Sequence, residues 1–207
     1  MLINLRSFLL THSIPAKGII HVGAHHGQEY EHYVQCGFEK MIFIEPQKSV
    51  FEILAMRLSD KPGVELHNFA CGSRIGHAEM YCETVNQGQS SSILKPQEHL
   101  RQHPEIRFTH REKVDIFPLD FIHGLGCNVL MMDCQGFELE ILKGANETLM
   151  RMDVVYTEVN RVSMYEECAH IGELEAFLSQ YGFKRSELKW ADPNLGWGDA
   201  IYLKTNV

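Results

Sequence analysis

The 207-residue chain lacks a CxxC pair among its six cysteines, any low-complexity tract or internal repeat, and any apolar run of membrane-spanning length. The irregular spacing of Cys36, Cys71, Cys82, Cys127, Cys134 and Cys168 argues against a disulfide framework. Reduced thiols and a cytoplasmic location are the expectation instead. Positive charge is also scarce: 19 Lys and Arg against 27 Asp and Glu leave a formal charge of −8. A dedicated nucleic-acid binder concentrates basic residues to neutralise phosphates, so no nucleic-acid partner is expected. The opening MLINLRSFLL is interrupted by Asn4 and Arg6 and is far too short to span a bilayer, so no membrane partner is expected. It reads as a short helix covering a sheet.

What is present is a globular balance, with 44% hydrophobic and 22% charged residues in a length suited to one α/β domain, taken here as 1–207. Strand and helix signals alternate. Lys17 to Val22 is a β-branched run ending at glycine, and Gly27 to Cys36 reads as a helix with Tyr30, Tyr33 and Val34 on one side. Met41 to Ile44 is a second strand, followed by Val50, Phe51, Leu54 and Leu58 at helical spacing. Val64 to Phe69 is a third, and Ala78 to Cys82 an extra extended segment. The polar stretch that follows, about 83–117, has no clear period and reads as an insertion and lid. Regularity returns with a strand at Asn128 to Met132 and a helix carrying Phe137, Ile141, Leu142, Ala145 and Leu149. Asp153 to Thr157, a helix from about Ile171, a strand from about Phe183 and a last strand, Ala200 to Leu203, complete the pattern. Such alternation implies a mostly parallel sheet with helices on both faces.

In an open parallel sheet, ligands bind outside the carboxyl ends of the strands. Polar residues at those ends are His21 to Gly27, Glu45, Ala70 to Gly72, Asp133 and Glu158. Gly23 and Gly27 permit a strand to reverse into a helix and a ligand to approach backbone. Glu45 follows Gly23 at the spacing where a carboxylate accepts the hydroxyls of a ribose. A nucleoside-containing cofactor follows from the pair. A dinucleotide fingerprint started at Gly23 would need glycine where His25 and Gln28 stand, which favours a donor without a pyrophosphate. Asp133 and Glu158 are the candidate catalytic residues, as base or as clamp for a hydroxyl acceptor, with Asp133 the first candidate for the base. His99 and His103 share helical spacing, yet no carboxylate completes a zinc pattern. A metal is not expected, although an ion held by Asp133 and Glu158 stays open. Phe108, Tyr165, Trp190 and Trp197 are candidates for stacking on a sugar or for ordinary packing.

Several blocks then match one family: IIHVGAHHGQE at 19–29, FIEP at 43–46, NFACGS at 68–73, QSSSIL at 89–94, PLDFI at 118–122, MMDCQGFELEILKGA at 131–145, YTEVN at 156–160 and WGDAIYLK at 197–204. The chain resembles the FkbM methyltransferases. The resemblance implies an α/β, Rossmann-like class I methyltransferase with a mostly parallel seven-stranded sheet and an antiparallel last strand. It also implies S-adenosylmethionine as donor and O-methylation of sugars or natural products. By that resemblance the turn His21, Gly23, Ala24, His25 and Gly27 faces the methionine part. Glu45 and Pro46 serve the ribose, Asn68, Ala70 and Cys71 the adenine, and Ser90 and Ser91 lie over the donor, with Asp133 also touching it. Many relatives carry aspartate in place of His21 and asparagine in place of His25. The leading reading is a sugar or glycan O-methyltransferase. A polyketide or other natural-product O-methyltransferase and a catalytically inert nucleotide-binding module are the alternatives.

Overall fold

The protein was analysed as a computed structural model that describes residues 1–192 and 194–205. Helix α1, Leu5–Thr11, starts at Asn4, whose side-chain oxygen accepts the Ser7 amide at 2.9 Å, and buries Leu5, Phe8 and Leu9. Then come β1, Gly18–Val22, α2, Tyr30–Cys36, β2, Lys40–Ile44, α3, Lys48–Leu58, and β3, Val64–His67. A middle section holds β4, Ala70–Cys71, β5, Gly76–Glu83, α4, His99–Gln102, β6, Phe108–Phe117, and a 3₁₀ turn at Leu119–Phe121. The last third is β7, Val129–Met132, α5, Glu138–Lys143, α6, Asn146–Arg151, β8, Val154–Asn160, α7, Ile171–Ser179, β9, Phe183–Trp190, and β10, Trp197–Lys204.

Seven strands form one sheet in the order β3-β2-β1-β7-β8-β10-β9, and β10 runs antiparallel to both neighbours. The expected mostly parallel sheet with an antiparallel last strand is thus present. Strand alternation sorts the core into two layers. Ile20, Val22, Leu130, Met132 and Val155 pack towards α5, α6 and α7, whereas Ile19, Phe43, Val129, Met131 and Tyr156 pack with Phe8, Tyr33 and Leu54 of α1 to α3. The strand order reverses between β1 and β7, which opens a crevice at their carboxyl ends.

Four readings need correction. Phe108–Phe117, read as irregular, is a ten-residue strand paired antiparallel with β5. Its Ile116, Val114 and Glu112 alternate with outward charges, but the apolar face is so narrow that the period was masked. The single helix expected from Phe137 to Leu149 is two, broken at Gly144, where an added Cβ would stand 2.0 Å from the Gly72 carbonyl oxygen. Glu158 lies inside β8 rather than after it. Val34 points outward at 45% exposure, leaving Tyr33 as the buried anchor of α2.

Candidate active site

The crevice is a cavity of about 610 Å³. Its first wall is the turn after β1. Gly23 sits at φ +77, and an added Cβ would lie 2.0 Å from the backbone oxygen of Asp133, so glycine alone permits the two strand ends to close together. Gly23→Ala is expected to cost roughly 3 kcal/mol of stability through this clash and the left-handed backbone, read as a lowered midpoint in denaturant. His25 also adopts a left-handed conformation, φ 48, a region that asparagine tolerates well. Its backbone N–H donates to Glu45 Oε2 at 2.9 Å. Ala24 lines the same wall.

Glu45 is buried at the end of β2 and accepts a second backbone N–H, from Gln47, at 2.9 Å on Oε1. It therefore ties the first turn to the second, while each oxygen keeps a lone pair free. Burial pushes its carboxyl up to about 7 against the pull of those two N–H groups. Pro46, Ala70, Cys71, Ser90 and Ser91 line the same cavity. Asn68 and Gly27 do not. The Asn68 amide donates to the Glu45 and Pro46 carbonyls at 2.9 and 3.1 Å, so it shapes the wall from behind. Gly27 makes room for α3, since its Cβ would meet Leu54 and Leu58 at 2.7 Å.

His21, within β1, is buried beside Tyr33, whose hydroxyl lies 3.1 Å from Nδ1. Burial lowers its pKa to about 4, so the imidazole is neutral near neutral pH and supplies no charge. Glu29, one turn away on the same cavity wall, is the carboxylate on that side.

The opposite end is acidic. Gln135, held at φ 53 after β7, donates its amide Nε2 to Asp133 Oδ1 at 2.8 Å and to Glu158 Oε2 at 3.3 Å, while its Oε1 accepts the Tyr165 hydroxyl at 2.9 Å. Asp199 of β10 lies directly across from Glu158 in the β8–β10 register. Its carboxylate accepts the Leu2 N–H and the Tyr156 hydroxyl. Burial, with Asp199 nearby, raises Asp133 to about 6. Burial and the neighbouring Asp133, Glu138 and Asp199 drive Glu158 well above the ordinary carboxylate range. Burial therefore works against ionisation of both carboxyls.

A third wall comes from the middle section. Glu83 accepts the N–H groups of Asn86 and Gly88 at 2.7 Å each, and the Gln87 carbonyl lies 2.7 Å from His25 Nε2, closing the 84–91 loop over the first turn. His99, Met164, Tyr165 and Trp197 face the cavity from the far side, whereas Phe108 and Trp190 do not line it. His99 and Tyr165 rings lie 5.4 Å apart. Reasoning from sequence gave no role to Asp199, Glu29 or Glu83. The signal was a carboxylate inside an otherwise apolar strand, GDAIYL, for Asp199. Among the described residues one group, Cys82, His110 and Glu112, brings three metal-type donors within 4.8 Å, away from the cavity wall, and His99 and His103 are not part of it.

A seven-stranded sheet of this order, with a glycine turn, a strand-end carboxylate and a crevice at the reversal of strand order, defines a Rossmann-like class I methyltransferase fold. Sequence comparison agrees: the profile of the Methyltransferase FkbM domain matches residues 21–185. The chain belongs to the FkbM methyltransferase family. It is similar to the 2-O-methyltransferase NoeI of Sinorhizobium fredii (strain NBRC 101917 / NGR234), with 24% identity over 162 residues, covering 73% of this chain and 67% of that protein. Among solved structures, the methyltransferase FkbM of Methylobacillus flagellatus KT superposes with a TM-score of 0.62 at 16% identity over 91% of this chain. The chain spans 44% of the length of that structure. Fibrillarin of Aeropyrum pernix, solved with natively bound S-adenosyl-L-methionine, gives a TM-score of 0.52 at 11% identity, covering 91% of this chain and 66% of its own. At these identities the superpositions speak for the fold.

Proposed function

We propose that the protein transfers a methyl group from S-adenosylmethionine to a hydroxyl of a sugar or glycan. The observation that carries the donor is Glu45, a buried carboxylate facing the cavity beside a glycine turn, with free lone pairs on both oxygens. The residues fit that donor. Glycine at 23 lets the ends of β1 and β7 close together beneath the cavity, and among the described residues the wall holds no lysine or arginine that would suit a pyrophosphate. Similarity to a protein named as a 2-O-methyltransferase favours an oxygen acceptor. Six cysteines, all free thiols, favour a cytoplasmic setting. No helix among the described residues is long and apolar enough to cross a membrane.

When bound, the donor supplies an electrophilic methyl group on a sulfonium. Glu45 accepts from the ribose hydroxyls, and Ser90 and Ser91 close over the donor. The insertion 83–117 acts as lid and acceptor wall within one domain. Asp133 would take the acceptor hydroxyl's proton as that oxygen becomes methylated. Gln135, donating to both Asp133 and Glu158, holds Asp133 in place. Calorimetric titration with S-adenosylmethionine and S-adenosylhomocysteine tests the reading: micromolar binding is expected, and no binding would overturn it.

Donor affinity should also depend on pH. Ribose hydroxyls donate to ionised Glu45, whose carboxyl sits at about 7 in the free protein, and so draw its pKa down in the complex. As pH falls below 7, Kd should rise by up to about tenfold per unit until the pKa of the complex is reached. A flat profile between pH 5.5 and 8 would remove Glu45 from the ribose.

A further inference from the structure

We infer that the acceptor is a neutral or amine-bearing sugar, and that phosphorylated, nucleotide-linked and carboxylated sugars are rejected by charge. The inference rests on the methyltransferase reading above and goes beyond it to the substrate class. Among the described residues, six acidic side chains line the cavity, Glu29, Glu45, Glu105, Asp133, Glu158 and Asp199, of which burial pushes Glu45, Asp133 and Glu158 towards their protonated forms. Among the same residues no lysine or arginine side chain lines it. Of the four lining histidines, His21 and His99 are kept neutral near pH 7, both pushed down to about 4 chiefly by burial. The α-amino group of Met1, close enough to favour the ionised form of Asp133, is one positive charge against these acids. A sulfonium donor complements such a wall; a phosphate dianion meets like charge and finds no partner.

The far end of the cavity suits a sugar ring. Tyr165 is 1% exposed and tied to Gln135, so its ring is fixed beside the Asp133–Glu158 pair. His99 Nδ1 is enclosed and has no hydrogen-bond partner among the described residues, although the residue lines the cavity. The imidazole thus keeps hydrogen-bonding capacity at Nδ1 that no group among the described residues uses, while half-buried Trp197 offers an apolar face to ring C–H groups. Glu105 stands exposed at the mouth, on the side of His103, with Oε1 3.6 Å from its Nδ1.

The test uses the full chain saturated with S-adenosylhomocysteine. Saturation-transfer NMR and competition titration then compare matched acceptors: hexoses, hexosamines, their 6-phosphates, their uridine-diphosphate forms and the uronic acids. Neutral and amino sugars are expected to bind at least about tenfold tighter than the phosphorylated or carboxylated counterparts. Glu105→Lys, at an exposed position outside the core, should narrow that ratio severalfold while leaving S-adenosylhomocysteine affinity unchanged. Equal or tighter binding of the anionic members would overturn the inference, and so would a panel in which no sugar binds. Failure to bind S-adenosylhomocysteine at the first step would strike the donor reading instead.

Discussion

Replacing Asp133 with asparagine is expected to lower kcat by about 10²–10⁴-fold while leaving S-adenosylmethionine affinity within about twofold, because a base acts on the acceptor in the transition state. The two replacements at this site should behave differently. Asparagine keeps an oxygen to accept from Gln135 Nε2, now at 2.8 Å from Asp133 Oδ1, so the local fold has a reason to persist. It cannot take a proton. In the native enzyme kcat should rise with pH through about 6, the value to which burial and Asp199 raise Asp133, and the residual rate of the variant should lose that limb. Glu158→Gln keeps an oxygen to accept from Gln135 Nε2 and leaves Asp133 in place as the base, so a milder loss is expected there. Equal loss of donor affinity and turnover in Asp133→Asn would move Asp133 from the acceptor to the donor. A larger loss in Glu158→Gln would exchange the two roles.

Glu45→Ala should weaken S-adenosylmethionine binding by about 10–100-fold, since hydrogen bonds to a charged group contribute roughly 1.5–3 kcal/mol. The effect has two parts. The ribose loses its acceptor, and the N–H groups of His25 and Gln47 lose theirs, each now at 2.9 Å from a carboxylate oxygen. The second part falls on the free and the bound protein alike and appears as lost stability, so the change in Kd reports the ribose contact. Undiminished affinity, by calorimetry at pH 7.5, would place the ribose elsewhere. The pH dependence of binding described above should vanish in the same variant.

These expectations connect residues that were visible in sequence with contacts that were not. Glu45 and Asp133 stood out because each follows an apolar strand, and Gly23 because a strand must turn there. The second duty of Glu45, holding two turns together, depends on where α3 begins relative to β1. The need for glycine at 23 lies across the sheet, in the Asp133 carbonyl 110 residues later. Gly27 and Asn68 belonged to the same motifs, yet their side-chain positions face α3 and the strand ends rather than the cavity. Asp199 shows the opposite case. It sits in an apolar strand with no turn signal, and only the antiparallel pairing of β10 with β8 sets it across from Glu158.

By itself the sequence determined the alternation of strands and helices, the sheet they form, and the strand-end carboxylates, because side-chain period and turn chemistry are local properties. Tertiary structure alone decided which carboxylates are neighbours, which of them burial pushes towards the protonated form, and that among the described residues no lysine or arginine joins them in the cavity wall. The reason is that charge is read through space: desolvation and like-charge repulsion depend on what the fold brings within a few ångströms, and residues 29, 45, 105, 133, 158 and 199 meet only once the sheet has closed.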